Sequence, residues 1–207
     1  MHRVPASIVL LASMALAETP WLPRVARSLQ GAPGWKVSLV WTSKPAPGSI
    51  ARPRSTEGEL RLAADDRFRF VSSGLEAMSD GKTAWQYTSS TGQVLVQSVA
   101  KLDPTILPGA LLGQALEGSE TSSSQEVLDG RKVVRMELAT GKGALARFKR
   151  ATLWARASDL RPVRLKVTDA QGAETTWDLL SWKSWKPKAD DFRWKAPAGS
   201  ETVDLRD

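Results

Sequence analysis

The chain has 207 residues, with no cysteine, a single histidine at His2, and nine tryptophans against one tyrosine. The missing Cys excludes disulfides and thiol chemistry. With His2 as the lone imidazole, Ser-His nucleophiles and zinc sites built on His or Cys are excluded from the rest of the chain. Lys and Arg total 29 against 22 Asp and Glu, a net charge of +7 that is spread along the chain, which reads as a solvated basic surface and not a nucleic-acid footprint.

Met1-His2-Arg3 is a charged start, and Val4 to Leu16 is an apolar run broken by Pro5 and two Ser. Ala15-Leu16-Ala17 has the small-x-small form of a cleavage site, so residues 1–17 read as a signal peptide and Glu18 as the first mature residue. The run is shorter than the ~20 apolar residues needed to span a bilayer. The expectation is an exported, soluble product of charge +6, since Arg3 leaves with the leader. Residues 18–207 read as a single domain long enough to bury a core.

Thr19-Pro20 predicts an N-cap and first helical position, and Trp21, Leu22, Val25 and Leu29 share one face of the helix that follows. Trp35 to Ser43 alternates, with Trp35, Val37, Leu39 and Trp41 on one face. Lys44 to Ser55 holds three Pro and one Gly and reads as a loop. Gly58 to Leu62 and Arg67 to Phe70 continue the period-2 rhythm. Asp80-Gly81 then predicts a hairpin, with Thr83, Trp85 and Tyr87 on one face of its second arm, and Gln93 opens the next strand.

Between Asp103 and Gly118 the spacing of Ile106, Leu107, Leu111, Leu112, Ala115 and Leu116 predicts a short helix, bounded or split by Pro104 and Pro108. Gln125 to Leu128, Asp129-Gly130 and Arg131 to Leu138 read as another hairpin. Ala139 to Arg150 reads as a loop with a helical turn. Ala151 to Ala155, Pro162 to Asp169 and Glu174 to Ser184 follow as strands, and Phe192-Arg193-Trp194 as a short extended piece. The sum is mainly β: nine to eleven antiparallel strands forming a half-open barrel, or strongly curved sheet, with an N-terminal helix and a short helical lid.

No nucleophile elbow, Walker loop or dinucleotide glycine pattern is present. The doublets Asp65-Asp66 and Asp190-Asp191 are the carboxylate pairs a glycosidase reading would need. Neighbours on a strand point to opposite faces, so neither doublet is a facing acid/base pair, and the chain reads as non-catalytic. What it has in excess is apolar aromatic surface, more than one short helix covers on a concave sheet. That surplus either closes on itself or lines a cavity for an apolar ligand.

The ordered string Gly58-Glu59-Leu60, Arg67-Phe68-Arg69-Phe70, Ser79-Asp80-Gly81-Lys82-Thr83-Ala84-Trp85-Gln86-Tyr87 and Gln93 resembles the periplasmic outer-membrane lipoprotein carrier family, LolA. Leu160-Arg161-Pro162, Asp169 to Gly172 and Phe192 with Pro197 and Gly199 match its closing strands. The resemblance implies a periplasmic carrier that shelters lipoprotein acyl chains and shuttles them from the inner to the outer membrane. It also implies a releasing inner-membrane transporter, an outer-membrane receptor, transient membrane-surface contact, a monomeric state and no cofactor. The absent Cys fits the soluble carrier and not the lipid-anchored receptor LolB.

Under that resemblance the acyl-chain wall is Trp35, Val37, Leu39, Trp41, Leu60, Leu62, Phe68, Phe70, Trp85 and Tyr87. The lid is Ile106, Leu107, Leu111, Leu112 and Leu116, joined by Trp21 and Leu22. Where the family carries an Arg-Pro pair that latches its lid, this chain reads Ala64-Asp65, which leaves Arg67 and Arg69 as substitutes. Rival readings are a carrier of another lipid or glycolipid on the same half-barrel, an envelope sensor module, and a carbohydrate-binding or hydrolytic protein.

Overall fold

The structure, a computed structural model, describes residues 20–99, 108–141 and 143–206. The expected leader, including its cleavage site, lies outside these residues.

Helix α1 (Trp21–Leu29) begins one residue later than Thr19-Pro20 suggests, because Pro20 has an extended ψ of 142° and sits at the cap. Proline offers no side-chain acceptor there. The N–H of Leu22 instead donates to Glu120 Oε2 at 2.8 Å, a carboxylate 98 residues away that also faces the positive end of the helix dipole. Leu22 and Val25 are buried on the inner side of α1. Replacing Glu120 with Ala is expected to cost about 0.5–2 kcal/mol, the usual price of a lost cap, whereas Glu120→Gln keeps an acceptor and most of the stability. Thermal melts of the two variants check this, and equal melting temperatures would show that water replaces the carboxylate without loss.

Strands β1 (Gly34–Lys44), β2 (Arg54–Ala63), β3 (Arg67–Ser72), β4 (Leu75–Asp80), β5 (Thr83–Thr88) and β6 (Gln93–Ser98) form a first meander. Helix α2 (Pro108–Leu116) precedes a second, made of β7 (Glu120–Leu128), β8 (Arg131–Leu138), β9 (Phe148–Arg156), β10 (Pro162–Asp169) and β11 (Glu174–Ser184). A last strand, β12 (Glu201–Asp204), follows. All twelve join one sheet in the order β12-β6-β5-β4-β3-β2-β1-β11-β10-β9-β8-β7. The two meanders meet where β1 pairs with β11. The end strands β12 and β7 do not pair with each other, so the curved sheet stays open.

The turns follow the sequence signals. Asp80 Oδ1 accepts from the N–H groups of Lys82 and Thr83, both at 2.9 Å, and Gly81 takes a φ of +99°. A Cβ at Gly81 would stand 2.4 Å from the Asp65 carbonyl oxygen, so only glycine fits. Strands β10 and β11 occupy the predicted spans, with Ala170-Gln171-Gly172 between them. Glu174, at the start of β11, pairs with Lys166 at 2.7 Å and Lys44 at 3.7 Å; these cations, the hydrogen bond from Lys166 foremost, hold its carboxyl below the usual range.

Other expectations need correction. Among the described residues twelve strands form, against about nine to eleven expected, and β12 pairs parallel with β6, so the sheet is not wholly antiparallel. Strand β7 starts at Glu120 and not Gln125. As an edge strand it leaves Thr121, Ser122, Ser123 and Ser124 exposed, and so has no apolar alternation to read. Strand β9 starts at Phe148, straight after a 3-10 turn over Gly143–Arg147. Residues 189–192 wind into another 3-10 turn, in which Lys188 N–H donates to Asp191 Oδ2 at 2.6 Å, and no strand forms at Phe192-Arg193-Trp194.

Candidate functional site

Directly opposed residues on antiparallel strands share a face, so the register sorts the wall. Val37, Leu60, Phe70 and Ala77 form one row across β1 to β4, each 0% exposed. Trp35, Leu62, Phe68, Ser79 and Ala84 form the next row, with Leu62 half-buried and the others buried. Leu39 opposes Gly58, where a Cβ would stand 2.6 Å from Phe70 Cε2. The Gly of the Gly-Glu-Leu string is therefore the space the Phe70 ring occupies.

The wall continues through the other meander. Trp41 opposes Trp177, Trp177 opposes Leu165, Leu165 opposes Leu153, and Leu153 opposes Met136. Trp177, Leu165, Leu153 and Met136 are all buried. Sequence reasoning left this half off the wall, although the alternation of Leu165 with Val167 and of Ala151, Leu153 and Ala155 carries the signal. The spacing Trp177, Leu179, Trp182 breaks period 2. A bulge between the Ser38–Ser181 and Leu39–Leu179 pairs absorbs the extra residue, Leu180, which is exposed, and returns Trp182 to the Val37 row.

Helices α1 and α2 cover this concave face. Leu22 and Val25 from α1, and Leu111, Leu112 and Ala115 from α2, join Trp35, Val37, Leu39, Leu60, Phe68 and Phe70 in one buried cluster. Trp21, Trp41, Leu62 and Leu116 are half-buried against it. Burying a side chain such as Leu111 is worth about 1.5–3 kcal/mol, so apolar contact is the main force seating α2. Ile106 and Leu107 of the expected lid lie outside the described residues.

Trp85 and Tyr87 do not belong to the wall. Trp85 opposes Met78 and Val96, and Tyr87 opposes Glu76 and Val94, which places both on the outer face; Ala84 and Gln86 face inward instead. The partner of Trp85 is Trp194, stacked at 6.3 Å between centroids with 6° between planes. The chain after β11 crosses this outer face: Lys36 lies 5.4 Å and Arg61 5.9 Å from the Trp185 ring, and Arg67 lies 5.4 Å from Phe192.

Arg67 and Arg69 are on the same outer face, since they alternate with Phe68 and Phe70. Arg67 donates to the Ala64 carbonyl at 3.1 Å, and Arg69 pairs with Glu76 at 2.7 Å. Neither substitutes for the family's lid latch. Asp65 and Asp66 both have positive φ (60° and 56°), the conformation of turn residues, and Asp191 holds the turn at 188. A second concavity of about 440 Å³ lies on the outer face, lined by Val40, Leu128, Val133, Val163 and Leu180. Its lining also includes Arg164, paired with Asp178 and with Asp129 at 3.3 Å.

The indole N–H groups divide. Trp35 donates to the Leu29 carbonyl at 2.7 Å and Trp182 to the Pro162 carbonyl at 2.7 Å, which ties α1 and the start of β10 to the wall. Trp154 donates to Glu126 Oε1 at 2.6 Å. The Nε1 atoms of Trp41 and Trp177 are shut off from solvent without an acceptor.

Comparison with known proteins places this geometry in a family. A family model described as "Outer membrane lipoprotein carrier protein LolA" matches residues 46–195. Two outer-membrane lipoprotein carrier proteins, from Bordetella bronchiseptica and Bordetella pertussis, are 25% and 26% identical to the chain, each alignment covering 99% of both partners. A solved structure of an uncharacterized conserved protein from Thermus thermophilus superposes with a TM-score of 0.58 at 14% identity, covering 89% of this chain and 96% of that one, a likeness of fold. The matched span runs from the loop before β2 to just past the 3-10 turn at residues 189–192, and the chain belongs to the LolA outer membrane lipoprotein carrier protein family.

Proposed function

We propose that this protein is a periplasmic, non-catalytic carrier that shelters lipoprotein acyl chains between its concave wall and its two helices, and shuttles them from the inner to the outer membrane. The observation that carries the reading is the wall itself: a continuous apolar face from Met136 to Phe70, covered by two short helices that apolar packing seats. Moving one CH₂ from lipid to water costs roughly 0.8 kcal/mol, so a chain of ~15 such groups needs on the order of 12 kcal/mol of replacement burial. In the closed form the helices supply that cover to the wall. In the loaded form the acyl chains take the places of Leu22, Val25, Leu111 and Leu112.

Residues 18–207 then act as a single monomeric carrier domain after removal of the leader. Its partners are a releasing inner-membrane transporter and an outer-membrane receptor. A second reading, carriage of another lipid or glycolipid, is favoured by one observation: Arg67 and Arg69 are committed to the outer face, so the family's latch is not rebuilt from them.

Native mass spectrometry of protein purified from the envelope is expected to show co-purified acylated protein, and the purified carrier is expected to release lipoproteins from spheroplasts. Co-purified lipid without protein would favour the second reading. A ligand-free protein that neither binds acylated peptide nor releases lipoproteins would sink both.

A further inference from the structure

Trp41 and Trp177 stand directly opposite one another on β1 and β11, on the face that the helices cover. Both indole nitrogens are sealed from solvent and neither has an acceptor. At the other end of the same strand pair, Trp35 and Trp182 each donate to a backbone carbonyl at 2.7 Å. Folded proteins leave few buried donors unpaired, because the lost water contact is not recovered. Two such donors, carried by tryptophans paired in register on a covered apolar wall, point to an acceptor that arrives with a guest.

We propose that the Trp41 and Trp177 indoles form a two-donor subsite for the carbonyl oxygen of the cargo's acyl group. The inference rests on the carrier reading and deepens it. A hydrocarbon tail accepts no hydrogen bond, but every acyl chain ends in a carbonyl, whose oxygen has two lone pairs and accepts two N–H groups. On the inner face the along-strand and cross-strand neighbours of the pair are Leu39, Ser43, Thr56, Leu165, Thr175 and Leu179. There is no cation among them, so the subsite suits a neutral ester or amide carbonyl. The carboxylate of a free fatty acid would be buried there without a counter-charge. The pair thereby sets how far an acyl chain slides along the wall, and places the head of the cargo near the β1–β11 seam.

The test uses two lipopeptides of equal apolar length, one with dipalmitoyl ester linkages and one with dialkyl ether linkages. The native protein is expected to bind the diester on the order of tenfold more tightly, the effect of two neutral hydrogen bonds. Replacing Trp41 or Trp177 with benzothienylalanine, which puts sulfur in place of the N–H in a ring of the same shape, is expected to remove much of that preference. In the native protein the indole ¹H–¹⁵N resonances of Trp41 and Trp177 are expected to move with the diester and not with the diether.

Equal binding of the two ligands with unmoved indole resonances would overturn the subsite and leave the carrier reading standing. A preference for the diester that survives both replacements would overturn it as well. Failure of the native protein to bind either ligand would remove the carrier reading, and the subsite with it.

Discussion

Replacing Leu111 and Leu112 together with Asp is expected to abolish capture of acylated peptide while the sheet remains folded. The two side chains are 0% and 2% exposed, in contact with the wall cluster. Carboxylates there would lack partners, at a cost of several kcal/mol that the lost Leu burial compounds. Helix α2 escapes that cost by leaving the wall. The strands do not depend on it, because their ladders run unbroken from β12 to β7 and α1 still covers part of the concave face. Far-UV circular dichroism, dye binding to exposed apolar surface, and titration with acylated peptide separate the outcomes. Retained strand signal, stronger dye binding and lost capture are expected. Collapse of the strand signal would instead make α2 part of an indispensable core.

Gly58→Ala is expected to destabilise the fold by about 1–3 kcal/mol, the usual cost of overpacking. The new methyl carbon would meet the Phe70 ring at 2.6 Å and the Val71 carbonyl oxygen at 3.0 Å. Phe70 is fully buried in the row between Leu60 and Ala77, so its ring has nowhere to retreat. In a chain of this length that corresponds to a melting-temperature drop of about 2–4 °C per kcal/mol. Combining Gly58→Ala with Phe70→Leu is expected to cost less than the sum of the two single changes, since the smaller side chain vacates the space the methyl group needs. Strict additivity would show that the two sites do not share that space.

Much of the fold was legible because half-buried strands alternate. Strand β10, the first half of β11 and the Asp80-Gly81 and Asp129-Gly130 hairpins follow from period 2 and turn chemistry alone. On β5, which of the two faces turns inward did not follow. Trp85 and Tyr87 are the largest side chains of β5, yet the inner face there takes Ala84, with Ala77 and Ser79 beside it on β4. Small residues fit where the concave side draws neighbouring side chains together, and the big aromatics go to the face that the chain after β11 covers. The edge strand β7 gave no periodic signal because its residues are polar and exposed, and the four-residue β12 and the bulge at Leu180 gave none because their places depend on partners distant in the chain. That the apolar residues of β1 to β3 share one covered face was readable, but the lone donors of Trp41 and Trp177 were not. Whether an indole finds an acceptor is decided by what folds beside it.

Strand β6 acquires its outer neighbour only when residues 201–204 are in place; Gln93 and Glu201, which pair across that junction, are 108 positions apart. Until then Val94, Leu95 and Val96 present a bare hydrogen-bonding edge, the sort of template onto which stray chains assemble. The loop that closes to cap it spans 108 residues, so this cap carries an entropic cost of closure that the adjacent hairpins do not. Proteolytic clipping upstream of Glu201 would therefore leave the wall and its helices intact while converting a discrete molecule into a seed for aggregation.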